Sequence, residues 1–185
     1  MMTYPESTDL LIAPPNIPDP RFRHAVLMLT HEHRAGSFAL CVNRETGHTL
    51  KDLLDNSGIG TNLNFPIYWG GPVNPTTVWM LHSDEWKIKE TVPLPNNWAM
   101  TSNAGMFAQM ADGLLPKHFR IMFGFCSWGE NQLRCELEGL GPWRKEHSWL
   151  VANNLGPEWL FETPVDNLWE SATTLSSHQA VDSWL

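Results

Sequence analysis

Residues 119–129 read Phe-Arg-Ile-Met-Phe-Gly-Phe-Cys-Ser-Trp-Gly, and this stretch decides the fold. Its first part, 119–125, is apolar nearly throughout, which is typical of a buried strand. Gly124 and Gly129 then bracket a turn that leads into a helical pattern around Leu133. The stretch therefore predicts a strand, a glycine turn and a helix in succession.

A second glycine segment reads Ile67-Tyr68-Trp69-Gly70-Gly71-Pro72 and ends another predicted strand. Tandem glycines permit unusual dihedral angles and the close approach of another backbone. Each segment places a tryptophan beside a glycine, Trp69 in this one and Trp128 in the first. An indole can stack on a base, a sugar or an apolar ligand, but it can equally fill a core. Both interpretations stay open.

Short β-type runs recur along the chain, most of them separated by Gly, Pro or Asn. They are 10–13, 24–30, 38–42, 67–69, 78–81, 88–92, 119–125 and 149–152. About eight strands suffice for a bent or partly closed sheet. Helical periodicity follows Thr49 and Ser102, which are candidate N-caps, and recurs towards the C-terminus. Because strands cluster early and helices late, we expect an α+β fold formed as a single domain over residues 1–185.

Composition excludes several classes of protein. The chain has 185 residues and a net charge of -8, and residues 152–185 hold five acidic residues but no Lys or Arg. No basic stripe is visible, which argues against direct nucleic-acid binding. The sequence shows neither a signal peptide nor a membrane-spanning run, and its three cysteines suggest neither a disulfide framework nor a CxxC pair. We therefore expect a soluble, cytoplasmic protein that does not associate with membranes.

The turn predicted at 124–129 raises the question of catalysis. Its spacing differs by one residue from that of the G-x-S-x-G nucleophile elbow, with Cys126 or Ser127 near the nucleophile position. A nucleophile also needs a positioned base, and the sequence does not say which histidine reaches this turn. The alternative is that the glycines permit tight packing of a helix on the sheet.

Two histidine features suggest other chemistry. In His31-Glu32-His33, alternate residues of a strand would project both imidazoles to one face, but no third ligand is evident, so we predict no metal site. His82 ends an apolar run and could line a ligand site or serve as a hydrogen-bonded boundary residue. Neither phosphate-binding glycine motif, GxxxxGK[ST] or GxGxxG, is present, and we predict no cofactor.

The two turns, taken with their flanks, resemble the AlgH/YqgE-like family, a bacterial group. The resemblance rests on Leu10-Leu11-Ile12-Ala13-x-Pro15, Asp19-Pro20-x-Phe22, residues 36–43, Gly70-Gly71-Pro72-Val73, Trp79-x-Leu81-His82, Thr101-Ser102, Gly124-Phe125-x-x-Trp128-x-x-x-Gln132-Leu133-x-x-Glu136, Ser148-Trp149-Leu150, and Phe161-x-Thr163-Pro164 leading to Trp169. It implies a strongly bent mixed β-sheet, a partial barrel of about seven or eight strands covered by several helices. One member is named as a regulator of alginate synthesis, so the resemblance also implies a transcriptional regulator.

The chain departs from the family pattern at four places. His31-Glu32-His33 stands where the family has Glu-His-Asn, Thr76-Thr77 stands where an Asp-Arg pair is expected, and 139–145 resembles an insertion. Cys126-Ser127 replaces Ala-Gly, which makes the thiol a peculiarity of this chain rather than a shared nucleophile. These departures favour a non-enzymatic role over an enzymatic mechanism.

We therefore expect a non-enzymatic regulatory or ligand-binding protein whose partner is a small ligand or another protein. The candidate ligand-binding residues are Trp69, Gly70, Gly71, His82, Ser127, Trp128, Gly129 and Gln132. The alternatives are a thiol or serine hydrolase that uses the 124–129 turn, and a nucleic-acid-binding protein.

Overall fold

The structure, a computed structural model, describes residues 4–33, 35–57, 63–141 and 149–184. Within them the chain forms ten β-strands and five α-helices. The strands are β1 (Leu10–Ile12), β2 (Val26–His33), β3 (Gly36–Cys41), β4 (Glu45–Thr49), β5 (Pro66–Trp69), β6 (Val73–Ser83), β7 (Val92–Leu94), β8 (Trp98–Thr101), β9 (Phe119–Trp128) and β10 (Leu150–Ala152). The helices are α1 (Leu50–Leu54), α2 (Gly105–Ala111), α3 (Gln132–Glu138), α4 (Pro157–Glu162) and α5 (Val165–Asp182).

The strands form one curled sheet in the order β10-β1-β2-β3-β9-β6-β8-β7. Strand β4 pairs with β5, which in turn runs parallel to β9, while the other pairings are antiparallel. The sheet is therefore mixed, and the predicted α+β class with a bent partial barrel is confirmed.

The Gly70-Gly71 segment carries the chain across β9. Strand β5 pairs with residues 121–123 of β9, and β6 pairs with the same three residues. Because a strand has two hydrogen-bonding edges, β5 and β6 must lie on opposite sides of β9. Gly70, Gly71 and Pro72 alone separate them, and they span two inter-strand spacings, about 10 Å.

Only glycine fits where the backbones meet at this crossing. A Cβ atom on Gly70 would lie 2.3 Å from the carbonyl oxygen of Gly124, and one on Gly71 would lie 2.1 Å from the carbonyl carbon of Phe125. A Cβ on Gly124 would in turn lie 2.3 Å from the carbonyl oxygen of Gly71, and its φ of 72° is disfavoured for other residues. Gly70, Gly71 and Gly124 are explained by this one backbone contact.

Apolar side chains cover both faces of the sheet. Helices α4 and α5 cover one face, where Leu160, Leu168 and Ala172 join a buried cluster around Trp98. Trp128 and Trp149 belong to a second buried cluster, and α1 and α2 contribute to a third. Helix α1 begins where its local signal predicts, because the Thr49 hydroxyl and the Asp52 carboxylate form a reciprocal capping box.

The prediction of a turn at 124–129 is wrong. Strand β9 continues to Trp128 because Cys126, Ser127 and Trp128 pair with β3. Gly124 is an interior residue of β9, placed there by the crossing. Strands β4 and β8 were not predicted, and the strand expected at 88–92 forms later, at Val92–Leu94. Of the expected insertion at 139–145, residues 142–145 lie outside the described part of the chain, as does Ser148.

Candidate ligand-binding site

Trp128 is part of a buried hydrogen-bond network centred on Glu136. Its side chain is 6% exposed and Glu136 is 4% exposed. The indole N–H groups of Trp128 and Trp149 both donate to Oε2 of Glu136, each at 2.9 Å. Gln132 donates to the other carboxylate oxygen at 3.0 Å and accepts from the Gly129 amide. The network joins β9, α3 and the start of β10, so Trp128 and Gln132 have a structural role that their spacing alone did not reveal.

Trp69 is half-buried at the end of β5. The Arg44 guanidinium lies 5.3 Å from its ring centroid, and the Phe22 ring lies 5.9 Å away. Phe22 also meets Trp149 edge-on at 5.7 Å, and Trp149 meets Trp128 at 6.2 Å. The two candidate tryptophans are thus linked through packed rings and do not face each other across an open cleft.

His82 lies at the opposite end of β9 from Ser127, paired with Phe119. It is fully buried, and its Nδ1 lies 2.9 Å from the carbonyl oxygen of Ser83, so Nδ1 carries the proton. Its Nε2 lies 3.0 Å from Oγ1 of Thr101. Burial lowers the pKa of His82, which favours the neutral ring. His82 therefore serves as a satisfied core residue, distant from the other candidates.

Cys126 and Ser127 project to opposite faces of β9. Cys126 is 2% exposed, its thiol points to the carbonyl oxygen of Gly70 at 3.6 Å, and burial raises its pKa well above the ordinary value. A thiol in this setting stays protonated at neutral pH, whereas the thiolate is the nucleophile. Ser127 is exposed and pairs with Phe38 of β3.

Ser127, Trp128 and Gly129 border a surface depression of about 470 Å³ at the end of β9. The remaining residues of its wall are His31, His33, Ala35, Gly36, Phe38, Val73 and Phe125. We call this feature the β9-end depression. It contains three of the eight candidate residues, whereas Trp69, Gly70, Gly71, Gln132 and His82 do not line it.

Cross-strand pairing brings the side chains of the β9-end depression onto one face of the sheet. His31 pairs with Phe38, Phe38 with Ser127, and Val73 with Phe125, and cross-strand partners share a face. The Phe38 ring lies 5.5 Å from that of Phe125 and 6.1 Å from that of His31. Phe38 is nevertheless 40% exposed. The floor is therefore a row of aromatic rings from β2, β3 and β9, with Val73 of β6 beside it.

Phe38 and Phe125 were not identified as site residues from the sequence. The alternation of side chains along β3 and β9 assigns each phenylalanine to one of the two faces of the sheet. Only the packing of the rest of the chain determines which of these faces remains exposed to solvent. His31 and His33 carried a usable signal, since the i, i+2 spacing correctly placed both imidazoles on one face, with ring centroids 6.3 Å apart. Among the described residues no group of three or more His, Cys, Asp or Glu side chains is arranged to hold a metal ion.

Comparison with known proteins identifies the family. A family model described as AlgH-like matches residues 10–180. The chain belongs to the AlgH-like family. A UPF0301 protein of Novosphingobium aromaticivorans is 33% identical over 88% of this chain and 85% of its own length, and one of Francisella tularensis subsp. holarctica is 29% identical over 89% and 85%.

Solved structures agree with the AlgH-like assignment. The solution structure of the AlgH protein from Pseudomonas aeruginosa has a TM-score of 0.75 at 25% identity, covering 95% of this chain and 92% of that one. A crystal structure of a Corynebacterium diphtheriae protein has a TM-score of 0.71 at 18% identity, covering 92% and 87%, and shares the fold.

The described helices also bear on membrane insertion. None of them combines the length and the apolar character needed to cross a bilayer.

Proposed function

We propose that this AlgH-like protein is a non-enzymatic, cytoplasmic ligand-binding protein with a regulatory role, and that the β9-end depression is its binding site. One observation carries the proposal: Phe38 is 40% exposed in the middle of an aromatic row instead of being covered. An exposed aromatic ring in a concave, mostly apolar site with a few polar groups is the usual arrangement for a small ligand.

The wall of the β9-end depression indicates the class of ligand. Phe38 and Phe125 offer ring faces and edges, and the Ser127 hydroxyl can donate or accept a hydrogen bond. His33 accepts a hydrogen bond from the Ala35 amide at Nδ1, so its Nε2 carries the proton and can donate to a ligand. None of the lining residues is acidic. We therefore expect a planar ligand with hydrogen-bond acceptors.

Two features support a binding role over the hydrolase alternative. Cys126 is buried with a raised pKa, so its thiol is unsuited to nucleophilic attack. Ser127 and His31 both line the depression, but β3 lies between their strands, and Phe38, the cross-strand partner of both residues, stands between their side chains. A serine and its general base must lie within hydrogen-bond distance.

The regulatory part of the proposal concerns protein contacts rather than DNA. The resemblance implies a transcriptional regulator, while the net charge of -8 opposes binding to a polyanion. We therefore infer that ligand binding at the depression alters a contact with another protein.

The test uses a neutral planar probe and a variant that leaves the core intact. Quinoline, whose ring nitrogen accepts a hydrogen bond, is titrated into the isotope-labelled protein while the backbone amide spectrum is followed. We expect shifts at the amides of Phe38, Ser127 and Gly129, and we expect Phe38→Ser to remove them. Leu114→Ser is the matched control, because Leu114 is also exposed, at 53%, and does not line the depression.

Unchanged quinoline binding in Phe38→Ser, with Leu114→Ser also unchanged, would refute the proposed site. Trp128→Ala is a poor probe because it removes a partner of Glu136 and disturbs the core.

A further inference from the structure

A second concave surface lies at the other end of β9, between β5 and the junction of α4 with α5. Its volume is about 360 Å³. Aromatic rings from Phe65, Tyr68, Phe119 and Phe161 contribute to its wall. We call it the Arg120 groove, because Lys117, His118 and Arg120 line it as well. None of its residues belongs to the β9-end depression.

Arg120 is a buried cation, 5% exposed, whose hydrogen bonds go to neutral partners. Its Nη1 donates to the carbonyl oxygen of Val42 and its Nη2 donates to that of Leu160 at 3.5 Å. The guanidinium carbon lies 5.0 Å from the Tyr68 ring and 5.2 Å from the Phe161 ring. Since both rings line the groove, the guanidinium lies at its floor.

Among the described residues no acidic side chain forms an ion pair with Arg120. The carboxylate of Glu45 accepts a hydrogen bond from the Tyr68 hydroxyl at 3.3 Å and acts on Arg120 from beyond ion-pair distance. A buried charge without a counter-ion costs several kcal/mol. Burial accordingly lowers the pKa of Arg120, although arginine stays protonated in proteins. The site therefore favours an incoming anion.

The guanidinium also retains donors for such an anion. Arginine has about five N–H donors. Two of them serve the carbonyl oxygens of Val42 and Leu160. The donors that remain match the two oxygens of a carboxylate.

The two basic side chains at the rim, Lys117 and His118, have weakly bound, exchangeable partners. Lys117 pairs with Glu158 at 3.1 Å and His118 pairs with Glu162 at 3.2 Å. Both carboxylates are largely exposed, 72% for Glu158 and 68% for Glu162, and exposed ion pairs contribute only about 0–1 kcal/mol. A ligand carboxylate can therefore displace Glu162 from His118.

We propose that the Arg120 groove binds an aromatic carboxylate, with its carboxylate on Arg120 and His118 and its ring against the aromatic wall formed by Phe65 and Phe119. The His118 ring stacks on Phe161 with an interplanar angle of 4°, which holds the imidazole beside the Arg120 guanidinium. The groove is a separate site from the β9-end depression and differs from it in requiring an anion.

The test compares 2-naphthoate with its uncharged analogue 2-naphthol in amide-resolved titrations of the whole chain. We expect 2-naphthoate to shift the amides of residues 117–121 and 161–163 and to bind there at least about tenfold more tightly than 2-naphthol, a difference of about 1.4 kcal/mol. Shifts confined to residues 125–129 would place 2-naphthoate in the β9-end depression and would overturn the proposal.

Glu162→Gln gives the sharper variant, because it removes the competing carboxylate without touching the buried arginine. We expect it to tighten 2-naphthoate binding about threefold. Glu138→Gln is the matched control, since Glu138 also forms an exposed ion pair, with Arg134 at 3.0 Å, but lies on α3 away from the groove. Its affinity should equal that of the unmodified chain.

Arg120→Met would abolish 2-naphthoate binding, but its folding must first be verified by circular dichroism. Two further results would each overturn the proposal: equal affinity of the groove for 2-naphthoate and 2-naphthol, or an unchanged affinity in Glu162→Gln.

Discussion

Replacing Gly124 by alanine should destabilise the protein far more than the same replacement at Gly113. Both glycines have a positive φ, 72° and 78°, so both variants bear a left-handed penalty of about 1–2 kcal/mol. They differ in their surroundings. A Cβ at 113 meets nothing within 4 Å, whereas a Cβ at 124 lies 2.3 Å from the carbonyl oxygen of Gly71 and 3.1 Å from that of Val73.

Relief of the contact at Gly124 requires the crossing segment to move away from β9. That movement weakens the bonds from the Gly70 amide to the Phe123 carbonyl, 2.7 Å, and from the Cys41 amide to the Gly70 carbonyl, 2.8 Å. Each is worth about 1 kcal/mol, and overpacking adds about 1–3 kcal/mol. We therefore expect the free energies of unfolding of the two variants to differ by about 3–5 kcal/mol.

The assay is urea unfolding followed by tryptophan fluorescence and circular dichroism for both variants and the parent. A domain is stable by only about 5–15 kcal/mol, so Gly124→Ala can fail to accumulate as folded protein while Gly113→Ala accumulates normally. That outcome would support the steric argument. A difference below about 1 kcal/mol between two well-folded variants would refute it, because the backbone contact would then be easily relieved.

Three further predictions follow from the buried groups. Glu136→Ala should lower the free energy of unfolding by about 2–5 kcal/mol, because two indole N–H groups lose their acceptor. Glu136→Gln should lower it by less, since the amide oxygen can still accept. Equal losses of stability for the two variants in urea unfolding would contradict this. Iodoacetamide at neutral pH should modify the partly exposed Cys135 and leave the buried Cys126 unmodified. Mass spectrometry of the native protein after treatment measures this. Rapid modification of Cys126 would restore the thiol-hydrolase hypothesis. Because burial lowers the pKa of His82, the unfolded chain binds the extra proton first, so stability should fall as the pH drops below about 6.5. The difference in unfolding free energy between the parent and His82→Gln should shrink over the same range, and a difference independent of pH would contradict the assignment.

Features encoded by nearby residues could be predicted from the sequence. The cap at Thr49 is set by Asp52, three residues further on, and the apolar run at 119–125 marks a strand wherever it lies in the fold. The α+β class followed from the order of such segments, and the family resemblance added the bend of the sheet. The β9 boundary was missed because its last three residues are held in the sheet by β3, which lies far away in sequence.

The candidate site was only partly predictable for the same reason. Trp128 is buried because Glu136 of α3 and Trp149, the residue before β10, pack against it, so no local pattern could distinguish a core tryptophan from a binding platform. The spacing of His31 and His33 did place them on one face, but Phe38 was identified only once the sheet was assembled.

The passage of Gly70 and Gly71 over β9 also constrains the order of folding. Residues 71 and 124 touch although 53 positions separate them in the sequence, so the segment cannot reach its final place until β9 has been synthesised and laid beneath it. Contacts between distant parts of a chain slow folding, because loop closure must precede the stabilising interactions. During synthesis β5 and β6 are made before β9, the strand that separates them in the folded protein. Until β9 has been made, their unpaired edges are exposed to association with other chains.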